Sequence, residues 1–178
     1  MRILYFVDRL LHGGIQTFLY NFISNMDLSN NEVSLLLLDD GKTYPLEEKF
    51  INLGVKLYKL SNIWVSKPLD YIKYKKAIDN FFAQHNDFDI VHLHSSSKNF
   101  YILKCAQKYK IPVRIAHSHN TGFQTQNPIK LFIGNRMKRL LKRYANYYFA
   151  CSDLAGKWLF GSTDKVHIIH NAVDLCKF

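Results

Sequence analysis

The sequence predicts an α/β domain of Rossmann-like type: a doubly wound, mostly parallel sheet of seven strands with helices on both faces. Three observations predict it. Short β-branched or apolar runs alternate with longer stretches of helical period, the rhythm of successive βα units. There are seven such runs in 178 residues, a length that fits one domain with a substantial core. No internal repeat, low-complexity stretch or Pro/Gly/Ser-rich linker divides the chain.

In chain order the expected strands are Arg2 to Val7, Glu32 to Leu38, Val55 to Leu60, Asp89 to Leu93, Pro112 to His117, Tyr147 to Cys151 and Val166 to Ile169. The helix after the first strand has the plainest signature. Ile15, Phe18, Leu19, Phe22, Ile23 and Met26 recur at helical spacing and give one apolar stripe to lay on a sheet. Pro45, Pro68 and Pro128 each open a helical stretch, where the missing N–H costs nothing because that donor has no intrahelical partner. Asn127 and Ser152 stand where N-caps belong. The last segment, from His170 to Phe178, follows a strand without the helix that a βα rhythm demands, so the chain reads as truncated.

Composition narrows the class. An apolar fraction of 48% with 21% charge is ordinary for a folded globular protein. No apolar run approaches the roughly 18 residues of a membrane span, and the start runs into a strand pattern without a signal-peptide cleavage site. The expected location is therefore cytoplasmic. Cys105, Cys151 and Cys176 are odd in number and in no CxxC spacing, which points to neither a disulfide framework nor a zinc site. Net charge is +10, and six of the 24 Lys and Arg residues fall between Lys130 and Arg143 with no acid among them. A solvated helix face is the plain reading of Lys130, Arg136, Lys138, Arg139, Lys142 and Arg143. The functional alternative is docking on an anionic membrane, at about 1 kcal/mol per basic residue near the surface. Nucleic acid is not expected as a partner, because no recognition motif or aromatic platform accompanies the charge.

Ligands of open parallel sheets bind at the carboxyl ends of the strands, so the βα turns carry the chemistry. The first turn reads Asp8-Arg9-Leu10-Leu11-His12-Gly13-Gly14 and leads into a helix. Paired glycines tolerate positive φ and close approach of a ligand, and the helix N-terminus offers free N–H groups to a phosphate. Neither the dinucleotide fingerprint nor a Gly-Lys-Ser/Thr loop is present. The fourth and fifth strand patterns end in Val91-His92-Leu93-His94 and Ala116-His117-Ser118-His119. Residues two apart share a face of the pleat, and the outer members, His94 and His119, are expected nearest the cleft. Three readings compete: a metal site, although no carboxylate or further ligand stands in a matching turn; neighbours satisfying His92 and His117 inside the sheet; and polar contacts from His94 and His119 to a hydroxylated ligand.

Taken together, His12-Gly13-Gly14-Ile15, Asp89 to His94, Ile115 to Asn120, Ala150-Cys151-Ser152 and Ile169 to Asp174 resemble family 4 glycosyltransferases of GT-B architecture, of the exopolysaccharide and capsule type. The resemblance spans the chain. It implies two Rossmann-like domains facing across a cleft: residues 1–170 as the acceptor-side domain, 171–178 as the start of the interdomain linker, and a donor-binding domain absent from this chain. The family's usual Pro-Asn-Gly-Val-Asp is here His170-Asn171-Ala172-Val173-Asp174, so Asn171 keeps the pattern while two positions depart from it.

The resemblance further implies a retaining transfer of sugar from a nucleotide-sugar donor to a saccharide or lipid-linked acceptor. His119 is then the catalytic candidate beside the transferred sugar. Gly13, Gly14, His94, Ser118, Asn120 and Asn171 are candidates for contacting donor phosphates and acceptor. The implied transfer needs no metal and no cofactor apart from the donor as substrate, which the absent domain mainly holds, and this half alone is expected to be inactive. The basic helix adds an expected peripheral position at the inner face of the cell membrane. A standalone carbohydrate- or phospho-ligand-binding module and, behind it, a metal-dependent hydrolase are the alternatives.

Overall fold

The computed structural model describes residues 1–60, 68–95 and 97–171. Seven strands form one sheet in the order β3-β2-β1-β4-β5-β6-β7. They are β1 (Arg2–Val7), β2 (Glu32–Leu38), β3 (Lys56–Leu60), β4 (Ile90–Leu93), β5 (Val113–Ser118), β6 (Tyr147–Ala150) and β7 (Val166–Ile168). Every neighbouring pair is parallel. The helices are α1 (Gly14–Ser24), α2 (Pro45–Asn52), α3 (Pro68–Gln84), α4 (Phe100–Lys108), α5 (Pro128–Tyr144) and α6 (Asp153–Phe160). All seven strands agree with the sequence reading to within a residue at either end.

Alternation along the strands builds two cores. On β1, Ile3, Tyr5 and Val7 face one way and join Leu19 and Ile23 of α1 and Phe50 of α2. Leu4 and Phe6 face the other way and join Tyr74, Ile78 and Phe82 of α3, Leu103 of α4, Leu141 of α5 and Leu159 of α6. Parallel strands buried on both faces need this nearly continuous apolar character.

The layers are unequal among the described residues: four helices pack on one face, while α1 and α2 pack on the other, where Phe18 of α1 reaches the β4 and β5 histidines. That asymmetry explains why Phe22, within the apolar stripe of α1, is 42% exposed.

Local signals set the helix ends. Asn127 caps α5 by accepting from the backbone N–H groups of Ile129 and Lys130 at 3.0 and 3.1 Å. Ser152 caps α6 by accepting from Ala155 N–H at 3.2 Å. Gly161 ends α6 in the left-handed region at φ 85°, where a side chain would strain the backbone.

Candidate functional site

Strand order reverses between β1 and β4, so the topological switch point lies where their carboxyl ends meet, the usual ligand position in such sheets. The Gly13-Gly14 turn follows β1 and opens α1, His94 follows β4, and His119 follows β5. These three strands are adjacent in the sheet. The turns quoted in the sequence therefore converge on one rim.

The glycines act through room rather than through unusual torsions. Gly13 is extended at φ −176°, and the glycines with positive φ are Gly41, Gly54 and Gly161, so the tolerance of positive φ is not used in this turn. A Cβ on Gly14 would meet nothing within 4 Å, so open space lies before the helix end. The first turn of α1 carries no acid and no side-chain cap. Its N–H groups and the positive end of the helix dipole face that space. Gln16 Nε2 donates to Arg9 O at 2.8 Å and ties the turn to the helix.

Parallel register places His92 opposite Ile115 on β5, which aligns His94 with His117 one step further. Four imidazoles thus pack two by two. His92 Nε2 and His117 Nδ1 lie 3.2 Å apart, and His94 Nδ1 and His119 Nε2 lie 3.0 Å apart, one ring donating to the other in each pair. Phe18 of α1 closes over the group, 5.9, 5.5 and 5.6 Å between centroids from His94, His117 and His119. Tyr5 flanks His92 and His94, and Phe149 flanks His92 and His117.

Burial strips water from these rings and disfavours their charged forms. Desolvation, with His119 as a lesser cause, brings His92 down to about 3, and desolvation alone brings His119 down to about 4. His94 and His117 are also held well below the ordinary range, chiefly by burial and further by the neighbouring histidines. The cluster is neutral near pH 7.

The structure sorts the remaining candidates. His94 is only 2% exposed and stands behind His119, so of the two outer histidines His119 is the one at the cleft. Ser118 is buried and donates to Ala155 O of α6 at 2.8 Å, so its hydroxyl ties strand to helix instead of facing a ligand. Asn120 is exposed beside His119, and Asn171 is exposed beyond β7, at the same end of the sheet. Of the segment read as linker, residues 172–178 lie outside the described residues.

The basic helix needs two corrections. Ile129, Ile133, Met137, Leu140 and Tyr144 recur on one helical face in the sequence, yet Ile129 and Ile133 are 69% and 45% exposed, and Leu141 is the side chain that is buried. Two of the six cations are held by neighbouring groups. Lys142 Nζ donates to Phe160 O at 2.6 Å, and Lys138 Nζ sits 4.7 Å from the Trp158 ring centroid. Burial, followed by Lys142, lowers the Lys138 pKa. Lys130, Arg136, Arg139, Lys142 and Arg143 are exposed, and Lys138 is half-buried.

A further rim residue went unremarked in the sequence. Asp8, at the end of β1, accepts from Ser95 Oγ at 2.8 Å and from Asn99 Nδ2 at 2.5 Å, and Tyr74 Oη donates to Asn99 Oδ1 at 2.8 Å. Its side chain is 38% exposed and lies 3.8 Å from Lys98 Nζ. The result is a carboxylate in fixed orientation at the switch point. A hollow of about 460 Å³ lies at the opposite ends of the strands, beside Met1, Arg2 and Asn31, but it collects no comparable chemistry.

This architecture defines one Rossmann-like half of a GT-B protein, with its cleft rim at the switch point of the sheet. The chain belongs to glycosyltransferase family 4, whose sequence profile matches residues 12–177. It is similar to EpsF of Bacillus subtilis (strain 168), a protein named as a glycosyltransferase, at 29% identity over 98% of this chain and 46% of EpsF.

Among solved structures, Anabaena HepE in complex with UDP and glucose superposes with a TM-score of 0.68 at 15% identity, over 98% of this chain and 45% of HepE. Acinetobacter baumannii MurG gives 0.65 at 12%, over 98% of this chain and 46% of MurG. The Neisseria meningitidis UDP-GlcNAc 2-epimerase bound to UDP-GlcNAc gives 0.67 at 15%, over 96% and 46%. The chain spans about half the length of these relatives. Among the described residues no helix is long and apolar enough to cross a membrane.

Proposed function

We propose that this chain is the acceptor-side half of a retaining glycosyltransferase, which moves a sugar from a nucleotide-sugar donor to a saccharide or lipid-linked acceptor in bacterial polysaccharide synthesis. One observation carries the reading: the open N-terminus of α1 at Gly13-Gly14, the fixed carboxylate of Asp8 and the neutral imidazole of His119 occupy turns after β1 and β5, flanking the β1/β4 switch point. Family membership and relatives described with UDP or UDP-sugars support a nucleotide-sugar partner. The name of EpsF supports the polysaccharide setting.

In this reading the leaving nucleotide carries developing negative charge, and backbone N–H groups at the start of α1 contribute to stabilising it. His119 and Asp8 orient hydroxyls, the neutral ring as donor or acceptor and the carboxylate as acceptor. His94 acts through His119, holding that ring at 3.0 Å from behind. Holding the acceptor hydroxyl against the anomeric carbon supplies the rate advantage of proximity, and closure against a donor-binding domain excludes water that would otherwise accept the sugar.

The test is sugar transfer by the full-length protein carrying His119→Ala. We expect kcat/KM to fall by about 100-fold or more, equivalent to about 2.7 kcal/mol, while unfolding stability changes much less. Comparable losses in both would return His119 to a packing role. A second reading, docking of α5 on an anionic membrane, rests on its exposed Ile129, Phe132 and Ile133 beside exposed cations.

A further inference from the structure

Sugar transfer leaves His92 and His117 without a task, and uses only the Nδ1 side of His94. His92, His94 and His117 each place one ring nitrogen within 4.8 Å of a nitrogen of the other two. All three side chains are buried, and His94 Nε2 and His117 Nε2 are enclosed without a hydrogen-bond partner. Buried polar atoms are rarely left in this state. We infer that His92, His94 and His117 form a binding site for a borderline-soft divalent metal ion, zinc or a close analogue.

The donor set selects the ion. Three imidazoles without a carboxylate suit zinc, cobalt, nickel or copper, whereas magnesium and calcium require oxygen ligands. Geometry agrees with a tetrahedral ion. Zinc–nitrogen bonds of 2.0–2.1 Å put two ligands on one ion about 3.4 Å apart, and His92 Nε2 and His117 Nδ1 already stand at 3.2 Å. An ion between them replaces that hydrogen bond, each ring keeping its proton on its other nitrogen, so of the two unpartnered nitrogens the ion satisfies His94 Nε2 and not His117 Nε2. The unpartnered Nε2 of His94 is free to join them. A fourth position opens toward a cavity of about 250 Å³ under α1, which leaves room for a water ligand.

The sequence argued against a metal because no additional ligand stood in a matching turn. No such ligand is added by the fold; register instead brings three of the same histidines together, because β4 and β5 pair so that both inner histidines and His94 fall side by side. The arrangement also has an outer partner. A metal-bound histidine usually donates its other N–H to a fixed acceptor, which sets its tautomer. With His94 bound through Nε2, its Nδ1–H donates to His119 Nε2, so the His119 proton is confined to Nδ1. The ion orients the rim histidine from behind the sheet surface and takes no direct part in chemistry at the cleft.

The inference stands apart from the transferase reading, because its readout is metal binding by this chain. Chelator-stripped protein is titrated at pH 7.5 with Co2+ and then with Zn2+. We expect one equivalent of Co2+ with the intense visible absorption of a tetrahedral site, displacement by Zn2+, and a three-imidazole shell in X-ray absorption. His94→Gln and His117→Gln should each weaken binding at least 100-fold, while His12→Gln and His167→Gln, which alter exposed histidines outside the cluster, leave it unchanged. Substoichiometric binding by the unaltered chain, a shell without three imidazoles, or undiminished binding in the His94→Gln/His117→Gln double variant overturns the site. Should the substituted proteins fail to fold, the titration and absorption spectrum of the unaltered chain decide alone.

Discussion

At the scale of single residues, burial makes the histidine cluster an acid-sensitive element. His92 and His119 carry folded pKa values of about 3 and about 4 against an unfolded value of 6.5. Below pH 6.5 the unfolded chain therefore binds more protons than the folded one, so their contribution is fully present above that pH and is lost as pH falls toward the folded values. Each group costs about 1.4 kcal/mol per pH unit in that window. Urea denaturation of chelator-treated protein should show a steep loss of stability between pH 6.5 and 5, and a flat profile there would contradict the buried, neutral state. Ser118 makes a sharper distinction. Ser118→Ala removes the bond to Ala155 O and should cost about 1 kcal/mol of stability while leaving sugar transfer by the full-length protein unchanged. A selective loss of transfer would instead restore Ser118 to the ligand surface. The sequence could show that His94 and His119 end consecutive strands, because a period of two is local. It could not show that α6 covers Ser118 or that Ser95 and Asn99 fix Asp8, since those contacts join residues 37, 87 and 91 positions apart.

At the scale of elements, α5 shows where periodicity fails. Its apolar residues were legible as a stripe, but a stripe does not state how far along the helix a partner extends. The C-terminal half packs through Met137, Leu140, Leu141 and Tyr144, whereas Ile129, Phe132 and Ile133 project from the N-terminal half. At about 100° per residue, those three side chains share a sector with Arg136, Arg139 and Arg143. This face combines an apolar wedge with guanidinium groups, the composition of a helix lying in a membrane interface. Binding to vesicles containing anionic lipid should therefore weaken with added salt and with less anionic lipid. Arg136→Glu/Arg139→Glu should reduce affinity by about 10-fold or more, since about 1 kcal/mol is lost per neutralised cation. Phe132→Ser/Ile133→Ser should weaken binding even at low salt. Lys138→Gln should leave it unchanged, because that ammonium lies against Trp158. Affinity indifferent to salt and lipid charge would remove α5 from the membrane.

At the scale of the whole molecule, the order of strands decides what these 178 residues can do alone. The βα rhythm made the parallel sheet and its layers legible, and the rim followed because ligands gather where strand order reverses. The uneven covering of the sheet was not legible, because it depends on which crossover passes over which face. The same topology limits function. The described rim offers a helix N-terminus, one fixed carboxylate and a neutral imidazole, but no cluster of cations directed at a diphosphate. Under the proposed division of labour, the groups that grip the nucleotide lie outside this chain, and only a closed cleft would hold donor and acceptor together. The isolated chain should therefore show no sugar transfer and little nucleotide binding. With UDP, GDP or ADP at 1 mM and a dissociation constant of 1 mM or weaker, linkage gives at most about 0.4 kcal/mol of stabilisation, a shift of about 1 °C for a domain of this size. A thermal-shift series with the three nucleotides measures it directly. A shift of several degrees with any one of them, or transfer by the chain alone, would place the donor site on this half and end the proposed division.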